Sequence, residues 1–568
     1  MDSNSDSDYE KLSKEELISK IKDLEGRLST LKVSKLSKDL LQSTSGIQNQ
    51  QEGNRIDLMT TPAIGKKLKH IKQQSQKKFE FKKYPTRKIA LQIVYQGWNH
   101  GGLAWQPEIT PLTTVEGELF KALLSARLVE MSEEFQEEDR EEILKTEEWR
   151  EAVDLEGWEY SRAGRTDAGV SGSGQVVSLW VRSNLLDSKL RQELLDSKQS
   201  PPGSFRDPEG FERSTDEENE EVHPKILNSS ISNKPQEELP YISILNSLLP
   251  ESIKVIAWSP VSTEFDARFS CKGRHYKYFF TKFESDLNQS LDIEMMREGA
   301  KKLIGEHDFR NLCKLDKSKQ IENFKREIYS AEINLVDENA IGPEFNKNDG
   351  LEGSVGQDGL GEKNQMYVFD LRGSAFLYNQ VRNIMAILFL IGSRLESPNL
   401  IDGLLYTDSS AQKPEGLGLI TDEFVDRKPE MAIASELPLL LWDCIYPPNT
   451  FNWKSESVYK SNGIAPSKTF DTMRIQSTRY RIKSILTLHQ IQKLQSFYQT
   501  DDDDDHQITP SPFHKSKSVC QIFGAGQSQW TKNYKSILNR PRLMIYSESN
   551  QKWLEGKGAR MLAKRSAV

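Results

Sequence analysis

The sequence predicts an α+β protein in which two similar α+β halves surround one cleft. Strand-like and helix-like segments alternate along the chain, first within residues 86–195 and again within 239–448. Polar stretches rich in acidic residues or glycine separate and interrupt these two blocks. Hydrophobic residues make up only 36% of the 568 residues and charged residues 28%, so a good part of the chain does not belong to a packed core.

The first half, residues 86–195, is predicted to be one small α+β unit. RKIALQIVYQG (87–97) alternates enough to predict a strand and ends in a Gly/Asn turn region. TVEGELFKALLSARLVEM (114–131) has helical periodicity after a threonine cap. An acidic insertion, EEFQEEDREE (133–142), comes next and is expected to be solvated. QVVSLWVRS (175–183) then predicts a strand, because β-branched residues favour strands.

The second half, residues 239–448, repeats the alternation, and a Gly/Asn/Glu-rich insertion at about 337–364 interrupts it. Its predicted elements are, in order, the helix YISILNSLLP, the strand IKVIAWSPV, the segment FDARFSCKGRHYKYFFTKF, the helix DIEMMREGAKKLIGEHDF, the strands REIYSAEINLV and MYVFDLRGSAF, the helix YNQVRNIMAILFLIGSRL and the closing LPLLLWDCIYPP.

The remaining segments are predicted to be extensions and insertions. Residues 1–85 are expected to be mostly disordered, with a short amphipathic helix over 10–33 and a basic segment. Residues 196–238 are expected to be a disordered acidic insertion. In the C-terminal extension, 449–568, a predicted helix SILTLHQIQKLQSFY leads into an acidic linker and a basic tail.

Net charge is −8, but the charge is unevenly distributed. Acidic residues concentrate in 133–142, 215–221 and the aspartate run 501–505, whereas residues 66–88 hold ten Lys/Arg against one Glu. A basic block of that density is typical of a nucleic-acid contact or a nuclear-import signal, with a solvated linker as the alternative. The overall acidity therefore does not exclude RNA as a partner.

Several classes of protein are disfavoured by the sequence. No apolar run reaches the length of a membrane span, and the N-terminus lacks the pattern of a signal peptide. The four cysteines and eight histidines are scattered, with no CxxC or HExxH motif. We expect a protein of the nucleus and cytoplasm, with no membrane partner, no metal and no disulfides.

Nucleotide-binding and simple hydrolase motifs are absent. A phosphate-binding loop requires GxxxxGK[ST] and a dinucleotide fingerprint requires a following helix, whereas the glycine-rich stretch 161–177 leads into a strand. No GxSxG nucleophile elbow is present.

The stretch SRAGRTDAGVSGSGQVV (161–177) carries the first candidate site residue. It places one carboxylate, Asp167, among four glycines, with Arg162 and Arg165 just upstream. Glycines allow positive φ and the close approach of a partner. From these residues alone, Asp167 is either an ion-paired turn residue or an exposed nucleophile.

Two distant constellations add an aromatic group and a cation. In RHYKYFF, Tyr276 and Tyr278 alternate along a strand, so both hydroxyls face the same side. Arg382 lies in an otherwise apolar helix and is expected to need a buried anionic partner. Taken alone, each residue has a structural explanation. Together they suggest a cleft with a nucleophilic acid, a cation that keeps it ionised, and an aromatic platform with a hydroxyl.

These motifs resemble the TruA family of tRNA pseudouridine synthases. GRTDAGVSGSGQVVS is similar to the catalytic signature of that family, FDARFSCKGRHYKYFF to its second element and SAFLYNQVRNI to its third. KIALQIVYQGW and LPLLLWDCIYP also fit, so the likeness spans 87–448 in the right order. It implies mixed, mainly antiparallel sheets that flank a central basic cleft.

The resemblance implies a role for each candidate residue. Asp167 would be the nucleophile that attacks the target uridine, and Arg382 would keep it ionised. Tyr276 would stack on the uracil and serve as the base that removes the C5 proton. Arg165 would fill the space left by the flipped nucleotide or hold it, and Leu441 would be an apolar wall for the base. No cofactor is implied.

The implied partner is the anticodon stem-loop of tRNA, and the implied branch is the eukaryotic one that modifies positions 38 and 39. Ser171 and GEHDFRNLCKLDKSKQIENFKREIYSAEI favour this branch, whereas the Ala after Asp167 departs from the Lys expected there. Synthases for other tRNA or mRNA uridines and a non-catalytic tRNA-binding protein on the same fold remain alternatives. Family members are commonly dimeric, so a homodimer is also implied.

Overall fold

One large β-sheet organises the structure, which is a computed structural model. The described residues are 79–185, 237–284, 290–336, 365–408, 424–456, 458–460, 463–465, 467–495 and 518–560. The helix predicted over 10–33, most of the insertions at 196–238 and 337–364, and the acidic runs 215–221 and 501–505 lie outside these residues.

The strands are, in chain order, β1 Thr86–Tyr95, β2 Ser161–Arg162, β3 Ser171–Arg182, β4 Ile253–Pro260, β5 Gly273–Thr281, β6 Gly305–Asp308, β7 Lys325–Leu335, β8 Met366–Gly373, β9 Leu439–Ile445, β10 Lys454–Ser455, β11 Val458–Lys460, β12 Gly463–Ala465, β13 Val519–Gly524 and β14 Gln527–Thr531. The α-helices are α1 Val115–Ser125, α2 Arg140–Ile143, α3 Tyr241–Leu248, α4 Ile293–Lys301, α5 Gln380–Gly392, α6 Asn399–Leu405, α7 Lys468–Gln495 and α8 Tyr546–Trp553.

Ten strands form a single sheet in the order β10-β4-β1-β3-β9-β5-β8-β7-β6, with β2 paired to β3. Every pairing in this sheet is antiparallel except that of β3 with β9. The predicted α+β class with a mainly antiparallel sheet is therefore confirmed. The two predicted sequence blocks contribute to one continuous sheet.

The parallel contact between β3 and β9 joins the two sides of the sheet through only two residue pairs. Ser171 is in register with Leu440, and Gly172 with Leu441. On its other side, Gly172 faces Tyr95 of β1, where a Cβ atom would lie 2.5 Å from the tyrosine Cζ atom. Only glycine fits between these strands without moving the ring.

Apolar cores lie on each side of this junction. One packs α1 and α3 against β1, β3 and β4, with Phe120 and Tyr241 fully buried. The other packs α4 and α5 against β5, β7 and β8. In α5 every residue except Arg382 is buried, as expected for a helix that is apolar all round.

Three predicted elements differ in length from the observed ones. The helix predicted from Thr114 begins there, because the threonine side chain accepts a hydrogen bond from Gly117 N–H, but it ends at Ser125. The residues GEHD, predicted to continue a helix, form β6, because pairing with β7 outweighs local helix propensity. The helix predicted within 484–498 begins much earlier, at Lys468, and from residue 477 to 494 its residues are all exposed.

The acidic stretch 133–142, expected to be solvated, is partly packed. Arg140 within it is only 2% exposed, and its guanidinium donates to the Leu124 carbonyl (2.6 Å) and to Glu137 (2.6 Å from Nη2). Ile143, at the end of α2, joins the first core. Because the segment is mostly charged, its sequence did not indicate these buried contacts.

No helix in the described ranges is long and apolar enough to cross a membrane.

We predict that Gly172→Ala lowers the free energy of unfolding by about 1–3 kcal/mol, the usual cost of overpacking. The Tyr95 ring cannot simply move aside, because its hydroxyl is hydrogen-bonded to Thr166 Oγ1 at 2.8 Å. Chemical denaturation of the purified variant measures this change. Gly556→Ala is the matched control, since no atom lies within 4 Å of its added Cβ. An unfolding midpoint for Gly172→Ala equal to that of the control would contradict the prediction.

Candidate active site

The loop that carries Asp167 is fixed by hydrogen bonds on both sides of the carboxylate. Before it, Ala163 N–H donates to the Val176 carbonyl (2.8 Å), and Gln175 Nε2 donates to the Gly164 carbonyl (2.7 Å). After it, Val170 N–H donates to the carbonyl of Asp167 itself (3.2 Å). The loop therefore presents Asp167 from a rigid frame at the start of β3.

Glycine is required at one position of this loop. Gly169 has φ +83°, and a Cβ there would lie 2.4 Å from Glu436 Cγ. The absence of a side chain lets the segment containing Glu436 approach the loop closely. This contact brings the region before β9 next to Asp167.

Asn379 is the hydrogen-bond partner of the candidate nucleophile. Its Nδ2 donates to Asp167 Oδ2 at 3.2 Å. Asn379 immediately precedes α5 and has φ 57°, in the left-handed region that asparagine tolerates better than most residues. Sequence reasoning missed this residue, although it lies in the quoted segment SAFLYNQVRNI.

Arg382 approaches the site from α5, but its direct carboxylate partner is Glu436. Its Nε donates to the Ala434 carbonyl and its Nη2 to Glu436 Oε2, both at 2.8 Å. The Arg382 side chain is 12% exposed and that of Glu436 is 42% exposed. Arg382 therefore has an anionic partner, but this partner is half-exposed and not buried as expected, and it is an acid that sequence reasoning did not single out.

Burial raises the pKa of the Asp167 carboxyl above its ordinary value, and this effect is the largest one acting on it. The positive charges of Arg382 and Lys314 oppose the rise in this pKa, whereas the negative charge of Glu436 adds to it. Lys314, also missed from sequence, has its ammonium 5.3 Å from the centre of the Tyr378 ring. The arrangement thus holds a carboxylate that is less completely hydrated than in water, with two cations near it.

Tyr276 contacts the core that packs α4 and α5 against the sheet, and also a small third core that contains Leu441. Its ring packs edge-on against Phe376 with ring centres 5.0 Å apart. Burial raises the pKa of the Tyr276 hydroxyl, and the negative charge of Asp167 contributes in the same direction. The hydroxyl is therefore neutral at physiological pH. Leu441 pairs in register with both Tyr276 and Gly172, so it connects the aromatic residue to the strand that follows Asp167.

The remaining predicted residues occupy different environments. Arg165 is exposed at the surface of the loop. Arg162, by contrast, forms a 2.9 Å ion pair with Glu116, which is fully buried. Leu441 is 1% exposed and lies in the third core with Tyr276. Asp167, Tyr276 and Arg382 are thus brought to one region, with Arg165 at its surface and Leu441 beneath it.

Chemically, this region combines a half-buried carboxylate, a neutral phenol and two cations. Such a set can supply a nucleophile and an aromatic surface for a planar substrate. Within the described ranges, no group of three or more His, Cys, Asp or Glu side chains is placed to hold a metal ion.

Several known proteins have sequences related to this chain. A family model described as tRNA pseudouridine synthase matches residues 300–447. The chain is 34% identical over 458 residues to the tRNA pseudouridine(38/39) synthase of Saccharomyces cerevisiae, covering 80% of this chain and 75% of that one. It is also 34% identical over 420 residues to the human protein of that name, covering 74% of this chain and 66% of the human one. A tRNA pseudouridine synthase A from Bacillus pumilus is 33% identical over 181 residues, 30% of this chain and 61% of the bacterial one.

We predict that Asp167→Asn leaves the melting temperature unchanged or raises it. The folded protein binds the carboxyl proton more tightly than the unfolded chain does, so ionised Asp167 costs folding free energy once the pH exceeds its raised pKa. Asparagine removes this cost and can still accept the hydrogen bond from Asn379. Calorimetry at neutral pH tests this, and a lower melting temperature for the variant would show that the ionised carboxylate stabilises the fold.

Proposed function

The chain belongs to the TruA family of tRNA pseudouridine synthases, and we propose that it isomerises uridine to pseudouridine in the anticodon stem-loop of tRNA, at positions 38 and 39. The observation that carries this proposal is the 34% identity, over 458 residues, to a yeast protein named for that activity. The matched family model, residues 300–447, includes Arg382 and Leu441.

Asp167 is the proposed nucleophile. The reaction breaks the N1–C1′ bond of the uridine, forms a C5–C1′ bond, removes the proton from C5 and leaves a proton on N1, so no atom is gained or lost. A carboxylate can attack either C1′ or the base to begin it. The support for Asp167 is its position on a rigid loop, with the charges of Arg382 and Lys314 favouring the ionised form.

Tyr276 is the proposed stacking partner of the uracil and the proposed acceptor of the C5 proton. Its packing against Phe376 and above Leu441 supports a fixed ring position. Because burial raises the pKa of its hydroxyl, a role as base requires the hydroxyl to ionise after the substrate has bound. Leu441 then forms the apolar layer behind that ring.

The target nucleotide must leave its stack to reach Asp167, which costs on the order of a few kcal/mol and least near a loop. We propose that exposed Arg165 occupies the vacated space or holds the flipped nucleotide.

The two halves, 86–195 and 239–448, are proposed to flank a basic cleft for the stem-loop. Strands β3 and β9 join the two halves through only two residue pairs, and this narrow connection supports a cleft between them. We also propose that the protein forms a homodimer and is located in the nucleus and cytoplasm.

We predict that the full chain releases tritium from tRNA transcripts labelled at uridine C5, at the base of the anticodon stem. Asp167→Asn should abolish release and leave the Kd for tRNA within about twofold, because the change removes the nucleophile and keeps the side-chain shape. Tritium release followed by mapping of the product tests the activity, and a binding titration with the same transcripts measures the Kd. No release from any RNA by the wild-type chain would refute the function, and turnover by the variant would remove Asp167 from its role.

We predict that Tyr276→Phe binds tRNA with wild-type affinity but loses about 100-fold or more in kcat, in line with general-base contributions. Phenylalanine retains the stacking ring and the contact with Phe376 but has no hydroxyl. Single-turnover kinetics with the same labelled tRNA give the rate of C5 proton loss. A wild-type rate would assign proton removal to another group.

We predict that Glu436→Gln moves the acid limb of the pH–rate profile to lower pH. Ionised Asp167 is the active form, so the rate rises as pH increases through the pKa of this carboxyl. Removing the negative charge of Glu436 lowers that pKa, while glutamine can still accept the bond from Arg382. Profiles of kcat/KM for both proteins test this, and a shift of the acid limb to higher pH would contradict the charge assignment.

A further inference from the structure

The loop at residues 265–270 exposes an aromatic side chain to solvent beside the candidate active site. Phe269 is 77% exposed, although large aromatic rings are usually at least partly buried in proteins. The neighbouring Arg268 is also exposed, with its guanidinium 5.5 Å from the centre of the Phe269 ring. The mechanism proposed above uses neither residue.

The backbone beneath this ring is held rigidly. Asp266 Oδ1 accepts hydrogen bonds from the backbone N–H groups of Arg268 (2.7 Å) and Phe269 (2.8 Å). Ala267 N–H donates to Ser161 Oγ (2.7 Å), and its carbonyl accepts from the Tyr446 hydroxyl (2.5 Å). The exposed ring is therefore at the tip of a fixed turn, which lowers the entropy lost when a ligand contacts it.

Arg274 ties this turn to the loops of the site. Its guanidinium donates to the carbonyls of Ala163 (2.6 Å), Arg268 (3.4 Å) and Ser374 (3.1 Å). Ala163 lies four residues before Asp167, and Ser374 five residues before Asn379. Arg274 thus bonds to the turn that carries Phe269 and to the two segments that position the Asp167 carboxylate.

Charge indicates the kind of ligand. Oδ1 of Asp266 accepts hydrogen bonds from two backbone N–H groups. Arg268 and, three residues beyond the ring, Lys272 are exposed, as is the acidic Glu264 five residues before it. Arg165, on the loop joined to the turn through Arg274, is exposed as well. An exposed aromatic ring among cations suits an unpaired nucleotide, whose base stacks and whose phosphate is neutralised.

We propose that Phe269 stacks on an unpaired nucleobase of the RNA next to the flipped uridine, and that Arg268 contacts the phosphate of that nucleotide. This inference rests on the proposed function and adds a positioning residue to it. It explains how a single-stranded loop is held while one of its nucleotides is turned out. The alternative occupant, a protein surface such as a second copy of the chain, is an outcome of the test below.

The test measures the Kd and the turnover of the full-length chain with an anticodon stem-loop transcript carrying tritium at uridine C5. Phe269→Ala should weaken binding and raise KM about tenfold, the usual effect of losing one stacked base, with kcat within about twofold. Phe269→Trp should restore both values, because a larger ring still stacks. Arg268→Gln should reduce the slope of log Kd against log salt by about one.

Phe470→Ala is the matched control, since this phenylalanine is also exposed (47%) but lies in α7. Wild-type Kd and KM for Phe269→Ala, or a Phe269→Trp variant as weak as Phe269→Ala, would overturn the stacking proposal. A change in molar mass by light scattering with an unchanged Kd for RNA would also overturn it, in favour of a protein contact. If the wild-type chain binds the RNA but releases no tritium, the proposed function fails, and the Kd values alone decide the stacking proposal.

Discussion

The parallel pairing of β3 with β9 is the constraint on which the site depends. Two residue pairs, Ser171 with Leu440 and Gly172 with Leu441, join sheet segments that lie more than 250 residues apart in sequence. This pairing sets the end of the Asp167 loop beside the strand that holds Leu441. Because β9 also pairs with β5, the same contact fixes the position of Tyr276 relative to that loop. A side chain larger than glycine at residue 172 would collide with the Tyr95 ring of β1, on the other side of β3 from this pairing.

Competing electrostatic effects act on the carboxylate that this pairing positions. Burial disfavours the ionised form of Asp167, two cations favour it, and Glu436 partly offsets the cation to which it is bonded. The site therefore keeps a carboxylate that is weakly hydrated but still attracted to positive charge. A less solvated carboxylate is a better nucleophile than one surrounded by water, and the cations limit the loss of its charge. Glu436, being half-exposed, is the component of this balance most open to change when a polyanion binds.

Much of the fold could be predicted from the sequence, and the site only in part. β-Branched strands and the apolar α5 have strong local signals, and so does the glycine-rich loop that leads into a strand. Arg382 could be recognised as a cation in an apolar helix, but its partner Glu436 lies 54 residues further along and outside any motif. Asn379 could not be recognised, because its role depends on a left-handed backbone conformation. The packing of Arg140 was hidden by the acidic residues around it, since composition does not show which member of a charged stretch is buried.

The three hydrogen bonds donated by Arg274 also affect which substitutions this region tolerates. All three of its acceptors are main-chain carbonyls, so the bonds do not depend on the side chains at residues 163, 268 and 374. A change of side chain at residue 163 or 374 would therefore leave the bond to Arg274 intact, although residue 163 is also constrained by burial, since Ala163 is 1% exposed. Arg274 has no such latitude, since lysine has a single ammonium in place of a planar guanidinium and cannot reproduce its geometry toward three separate carbonyls. The exposed side chains around the site can therefore differ, while Arg274, which is partly buried, preserves the geometry of the loops beneath them.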